Sequence, residues 1–315
     1  MGDHLVTACV LLAAYNGEKH LQAQLDSLRN QTDPDFTVLM QDDGSSDGTP
    51  ALLESVCRED SRFRLAGESR RGFGPAGNFL SLIRQSTADR LMLCDQDDWW
   101  EPEKTARLKQ AMDQAEEKYG PGCPLLVHSD CRLMNEDGSL LDETFFRHQG
   151  WDPAAVTLPR LLVQNNVTGC TLMMNRPLAA LIAAHGQAKD LFMHDWFIAL
   201  TAASFGHVIF LNEPLTRYRQ HGENAVGASK KGLLARGFAA LGQRSKAKRR
   251  ILLTYTHTLV FRKLYEGCLP EEADRITAAY LATRRMPKLR RVREVRRLGC
   301  TMQSPVTRMG QIFFG

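Results

Sequence analysis

A chain of 315 residues, 43% apolar and 24% charged, can bury one large core, and that balance excludes a disordered or collagen-like polymer. No run approaches the roughly 20 apolar residues of a membrane-spanning helix, and the eight scattered cysteines form no C-x-x-C pair, so they read as reduced thiols in a cytosolic protein. The formal charge of +4 hides an asymmetry: residues 222–315 hold 20 Lys and Arg against 6 Asp and Glu, so the preceding body is acidic.

The start, Met1-Gly2-Asp3-His4, offers no basic region, so Val6–Ala14 is predicted as a first strand rather than a signal peptide. Asn16-Gly17 marks a turn, and Leu21, Leu25 and Leu28 recur at helical spacing as far as Arg29. Phe36–Gln41 is a second strand, and Pro50 opens a helix capped by Thr49 and ending near Cys57. A short strand at Phe63–Ala66 precedes a helix carrying Phe79, Leu82 and Ile83. Arg90–Cys94 is the next strand, and Pro102 starts a helix reaching about Lys118. This alternation predicts an α/β fold, a mostly parallel central sheet with helices on both faces. Beyond it, Leu125–Asp130, Cys131–Leu141 (with a turn at Glu136-Asp137-Gly138), Asn166–Met174 and Val208–Leu211 are strand-like. His194–Phe205 reads as a helix, and after Gly222 helices are expected at about 230–242, 246–266, 271–284 and 287–299. The expected division is a body over 1–225 and a basic helical region over 226–315.

The stretch from Leu91 to Pro102 is the most informative. An apolar strand runs straight into Asp95, Asp97 and Asp98. Carboxylates crowded at a strand tip repel one another and suit a divalent cation, Mg²⁺ or Mn²⁺. A second acidic tip, Asp42-Asp43, ends the second strand. In a parallel sheet both tips open on one edge, where such sheets bind ligands.

At this point the chain resembles a family 2 glycosyltransferase of the GT-A fold, in its bacterial rhamnosyltransferase-like branch. The resemblance covers about residues 5–225. It rests on Ala13-Ala14-Tyr15-Asn16-Gly17, on Gln41-Asp42-Asp43-Gly44-Ser45-Ser46-Asp47-Gly48-Thr49, and on Gly72 to Asn78. Asp95-Gln96-Asp97-Asp98 with Pro102, His194-Asp195-Trp196 and Tyr218-Arg219-Gln220-His221-Gly222 complete it. It implies that Ala14 and Tyr15 pack on a nucleotide base, that Asp43 hydrogen-bonds that base with Asp42 close by, and, more loosely, that Arg71 reaches the nucleotide. It implies further that Asp95 and Asp97 contact the ribose and hold the metal, and that Asp195 is the catalytic base. An Asp in a first helical turn also serves as a simple cap. His221 is either a metal ligand or diphosphate contact, or a polar loop histidine. Trp100 is either an acceptor-sugar platform or packs on the next helix; His194 and Trp196 flank the base on the acceptor side. The resemblance thus implies an inverting, metal-dependent transferase using a nucleotide-sugar donor, with dTDP-rhamnose favoured, on a cell-surface glycan or lipid-linked acceptor. Related donors carrying glucose, galactose or an N-acetylhexosamine, and a non-catalytic nucleotide-binding role, are the alternatives.

In the basic region, Leu289, Val292, Val295 and Leu298 form a narrow apolar stripe among arginines. That pattern suits an anionic membrane surface at the cytosolic face, or a solvated basic face. Nucleic acid is disfavoured because no zinc spacing or RNA-binding motif accompanies the charge.

Overall fold

The computed structural model describes residues 7–67, 72–191, 193–220 and 240–314. The chain runs β1 (Ala8–Ala14), α1 (Glu18–Arg29), β2 (Thr37–Asp42), α2 (Thr49–Glu59), β3 (Phe63–Leu65), α3 (Gly74–Gln85), β4 (Arg90–Asp95), β5 (Trp99–Trp100) and α4 (Lys104–Tyr119). Next come β6 (Leu125–Met134), β7 (Leu140–Asp142), α5 (Phe145–Gln149), α6 (Leu158–Leu161), β8 (Leu172–Asn175), α7 (Arg176–His185), α8 (His194–Phe205) and β9 (His207–Arg219). Four helices close the chain: α9 (Ala240–Leu264), α10 (Glu271–Thr283), α11 (Lys288–Arg297) and α12 (Pro305–Phe314).

The strands make one sheet in the order β3-β2-β1-β4-β8-β6-β9-β5, with β7 paired to β6. β3, β2, β1 and β4 run parallel to one another. β8 runs antiparallel to both β4 and β6, and β9 returns parallel to β6. The predicted hairpin turn joins β6 to β7, with Gly138 at φ 87°, where only glycine is unstrained. The strand expected over Asn166–Met174 is reduced to β8, because Gly169–Thr171 forms a 3₁₀ turn. Much of the helix expected near 230–242 lies outside the described residues.

Strands buried on both faces feed two apolar clusters by alternation. Val10, Leu12, Met92 and Cys94 face α1, α2 and α4. Leu11, Leu91 and Leu93 face α3, α7 and α8. The C-terminal helices enter that second cluster through Ile251, Tyr255, Phe261, Tyr265, Tyr280 and Val295. Phe197 of α8 packs between Phe261 and Tyr265, at centroid distances of 6.1 and 5.8 Å, and the Tyr265 hydroxyl lies 3.0 Å from that of Thr201. α9 therefore buttresses the helix that begins at His194-Asp195.

Candidate active site

β1 lies between β2 and β4, and the register places Ala14 opposite Asp42 and Ala13 opposite Asp95. The two acidic tips are thus level on one sheet edge, as the parallel topology requires. The loops beyond the tips are laced together. Asn16, in the left-handed region at φ 47°, donates its N–H to Ser45 Oγ (2.8 Å) and accepts from the Ser46 N–H (2.9 Å). The Gln96 amide accepts from the Tyr15 N–H (2.7 Å) and donates to the Tyr15 carbonyl (2.9 Å). A Cβ at Gly17 would fall 2.3 Å from Gln96 Oε1, so this bridge needs a glycine there. The outcome is a fixed backbone around Ala14 and a Tyr15 ring that is 57% exposed at the rim.

Asp42 accepts from the N–H groups of Gly44 (3.0 Å) and Ser45 (2.9 Å). Asp43, nearly buried, accepts from Phe73 N–H and Gly74 N–H, both at 2.8 Å, and so ties its own loop to the start of α3. Asp42 Oδ2 takes both of its N–H groups, whereas Asp42 Oδ1 and each Asp43 oxygen keep a second lone pair for a ligand. Arg71 and His221 lie outside the described residues.

At the β4 tip, Asp95 is half-buried, and desolvation, then the charges of Asp97 and Asp195, push its carboxyl up to about 7. Asp98 is fully buried; burial and its two acidic neighbours raise it well above the usual carboxylate range. Arg219 fastens this loop, its N–H donating to Asp98 Oδ1 (3.1 Å) and its Nε to the Asp97 carbonyl (2.8 Å). Donor atoms of Asp95, Asp98 and Cys170 lie within 4.8 Å of one another. That trio takes in Asp98, where the sequence pointed to Asp97. Asp98 Oδ2 has no hydrogen-bond partner among the described residues. Two crowded carboxylates with an unsatisfied buried oxygen fit a hard divalent cation. The Cys170 thiol, pushed well up by burial, stays protonated and adds little as a ligand.

Asp195 sits in the first turn of α8, only 8% exposed, with Oδ1 accepting from the Trp196 N–H at 2.6 Å. Burial pushes its carboxyl up to about 7, and its charge reaches Asp95. Glycine at 169 lets the 3₁₀ turn press against this helix start: a Cβ there would meet His194 Nε2 at 3.0 Å. His194 is itself buried beside Phe79, and desolvation lowers it to about 4, so it is neutral at pH 7.

The acceptor-side expectations need correction. Trp100 is 1% exposed and lies under the Lys104 ammonium, 3.4 Å from the ring centroid. Pairing of β5 with β9 turns alternate side chains to opposite faces and sends this indole inward. Trp196 is also buried, donating Nε1–H to the Leu161 carbonyl at 2.6 Å. Neither ring offers a face to a sugar, and His194 is closed off in the same way. Sequence reasoning missed Gln96, Lys104, Cys170 and Arg219. Gln96 stood in the acidic run itself; nothing in the local sequence marks Lys104 apart from its place at the start of α4.

A sheet edge that gathers carboxylates at neighbouring strand tips, beside a buried Asp on a helix start, is the GT-A arrangement. Residues 9–125 match the glycosyl transferase family 2 model. The chain is 26% identical to the putative glycosyltransferase EpsH of Bacillus subtilis (strain 168), over 73% of this chain and 65% of that protein. It is also 26% identical to the dTDP-rhamnosyl transferase RfbG of Shigella flexneri, over 69% of this chain and 74% of that one. The chain therefore spans just under two thirds of the Bacillus relative's length. Among solved structures, the mannosyltransferase PcManGT of Pyrobaculum calidifontis, in complex with GDP-Man and Mn²⁺, shares the fold at a TM-score of 0.54 and 16% identity. That match covers 93% of this chain and 72% of the other.

Proposed function

We propose that the chain moves a sugar from a nucleotide-sugar donor to a hydroxyl of a cell-surface glycan or glycolipid, with inversion, and that dTDP-rhamnose is the favoured donor. The observation that carries this reading is the meeting of Asp95 and Asp195. A strand-tip carboxylate able to face a metal–diphosphate stands within electrostatic reach of a buried carboxyl tuned to about 7. A general base works best when its pKa lies near the operating pH.

In this reading the exposed Tyr15 ring and the backbone at Ala14 pack on the base, and Asp43 and Asp42 use their free lone pairs on its edge. Asp95 contacts the ribose. Asp195 takes the proton from the acceptor hydroxyl as that oxygen attacks the anomeric carbon. A single displacement needs one base and no second nucleophilic carboxylate. A bound Mg²⁺ or Mn²⁺ would offset the charge of the departing nucleoside diphosphate. Asp95, with Asp97 and Asp98 beside it, would hold that ion, and His221 is a further candidate ligand. The relative titled dTDP-rhamnosyl transferase favours rhamnose; UDP-linked glucose, galactose or N-acetylhexosamine would use the same residues. A panel of these donors with Mn²⁺ and purified protein tests the reading. Release of nucleoside diphosphate from one donor is expected; binding without release from any would leave a nucleotide-binding protein instead.

The reading extends to the cytosolic face of an anionic membrane. Arg284, Arg285, Arg290, Arg291, Arg293 and Arg296 have no ion-pair partner among the described residues, and Leu289 beside them is 86% exposed. Unpaired arginines around an exposed apolar side chain suit a lipid headgroup layer better than nucleic acid. No helix among the described residues is long and apolar enough to cross a membrane, so the contact would be peripheral.

A further inference from the structure

Lys104 is fully buried and bound to Cys170, whose thiol lies within 4.8 Å of the Asp95 and Asp98 carboxyl oxygens at the acidic strand tip. Its ammonium donates to the Cys170 carbonyl and to Thr216 Oγ1 (2.8 Å), and covers the Trp100 ring at 3.4 Å. Those anchors come from the turn before β8, from β9 and from β5, so the ammonium cannot swing to solvent. It makes no ion pair with a carboxylate among the described residues. A buried ammonium without such a partner is costly unless nearby negative charge supports it. That support is at hand, since its field bears on both Asp95 and Asp98. Burial lowers it to about 8, which leaves it mostly charged at pH 7.

We propose that Lys104 is a built-in counter-charge that keeps the Asp95–Asp97–Asp98 tip from holding a divalent cation by itself, so that the cation is captured only together with the diphosphate of the donor. The inference rests on the nucleotide-sugar reading of the site. Physically, a fixed positive charge raises the energy of a bare divalent cation at the tip. The same cation arriving with a diphosphate brings negative charge that cancels the repulsion. Lys104 is in this sense a positioning residue, acting through charge on the groups that meet the substrate.

The test is Mn²⁺ binding followed by electron paramagnetic resonance at pH 7, with and without UDP, GDP or dTDP. Wild-type protein is expected to bind Mn²⁺ at least tenfold more weakly alone than with the matching nucleoside diphosphate. Lys104→Met is expected to bind Mn²⁺ alone at least tenfold more tightly than wild type, whereas loss of a merely structural lysine would leave affinity unchanged or weaken it. Thr216→Val removes one anchor but keeps the charge, and should match wild type. No gain in Lys104→Met overturns the proposal, as does an equal gain in Thr216→Val. If Lys104→Met does not fold, the wild-type comparison decides: equal Mn²⁺ affinity with and without diphosphate overturns it. Failure of Mn²⁺ to bind with any diphosphate overturns the metal-dependent reading as well, whereas failure of the Lys104→Met gain alone leaves that reading standing.

Discussion

The strand-tip edge and the C-terminal helices both concentrate charge, yet they treat it in opposite ways. At the edge, Asp95, Asp98 and Asp195 are withdrawn from water, and burial drives each carboxyl upward. On α11, Arg290, Arg293 and Arg296 stay exposed, with no ion-pair partner among the described residues, while the opposite side of the same helix sends Val295 into the core. Charge taken out of water is tuned for chemistry at some expense in stability. Charge left in water is screened and can act only on what approaches the surface. The two regions are nonetheless one packed unit, because α9 supports the helix that presents Asp195.

That last point gives the largest expected effect. Removing residues 240–315 should abolish cooperative folding of the remainder rather than release a working catalytic body. Seven buried side chains of that region, Ile251, Tyr255, Phe261, Tyr265, Tyr280, Val295 and Met302, would be lost from the core. At about 1.5–3 kcal/mol each their sum matches a typical domain's whole stability. A truncated chain with a sharp thermal transition and intact donor binding would show instead that the two regions are separable.

Next in size is Asp195→Asn. Transfer should fall about 10²–10⁴-fold, the range for loss of a general base, with donor affinity kept. In wild type the rate should rise tenfold per pH unit below about 7 and level off above it, as Asp195 ionises. A wild-type rate in the variant would remove Asp195 from the mechanism.

Replacing Arg290, Arg291, Arg293 and Arg296 with Ser should weaken association with anionic vesicles roughly a hundredfold or more at low salt. Each contributes on the order of 1 kcal/mol at such a surface, and the effect fades within a Debye length. Transfer to a soluble acceptor should persist. Vesicle flotation that ignores both salt and the substitutions would leave this face merely solvated.

The smallest effect is on stability, and its sign separates the two regions. The folded Asp195 carboxyl, near 7, is raised above its ordinary 3.8, so the folded state favours the protonated form. Its stabilising contribution is full below about pH 4 and is lost as pH climbs to about 7. Asp195→Asn cannot ionise, so the metal-free variant should be more stable than wild type by about 1–3 kcal/mol at pH 8, and no more stable at pH 4. Arg293→Ser, at a solvated position, should shift the melting temperature little at either pH. An unchanged melting temperature of Asp195→Asn at pH 8 would show that its carboxyl is not held out of water.

Much of the fold was written in the local pattern. Apolar runs and helical spacing placed β1 through β4, the helices between them and α8, because each is a short-range consequence of period and capping. The acidic tips at Asp42 and Asp95 were legible for the same reason: parallel strands leave their carboxyl ends on one edge wherever they pair. Tertiary structure decided what depends on long-range neighbours. It sent Trp100 and Trp196 inward, since an indole beside acids in sequence carries no mark of the β9 pairing or the α6 carbonyl that captures it. It brought Asp98 and Cys170 together across 72 residues, and it set Lys104 against Cys170 with anchors from three separate segments. Periodicity records which face of an element is apolar; which polar groups share a buried volume is settled only when the elements meet.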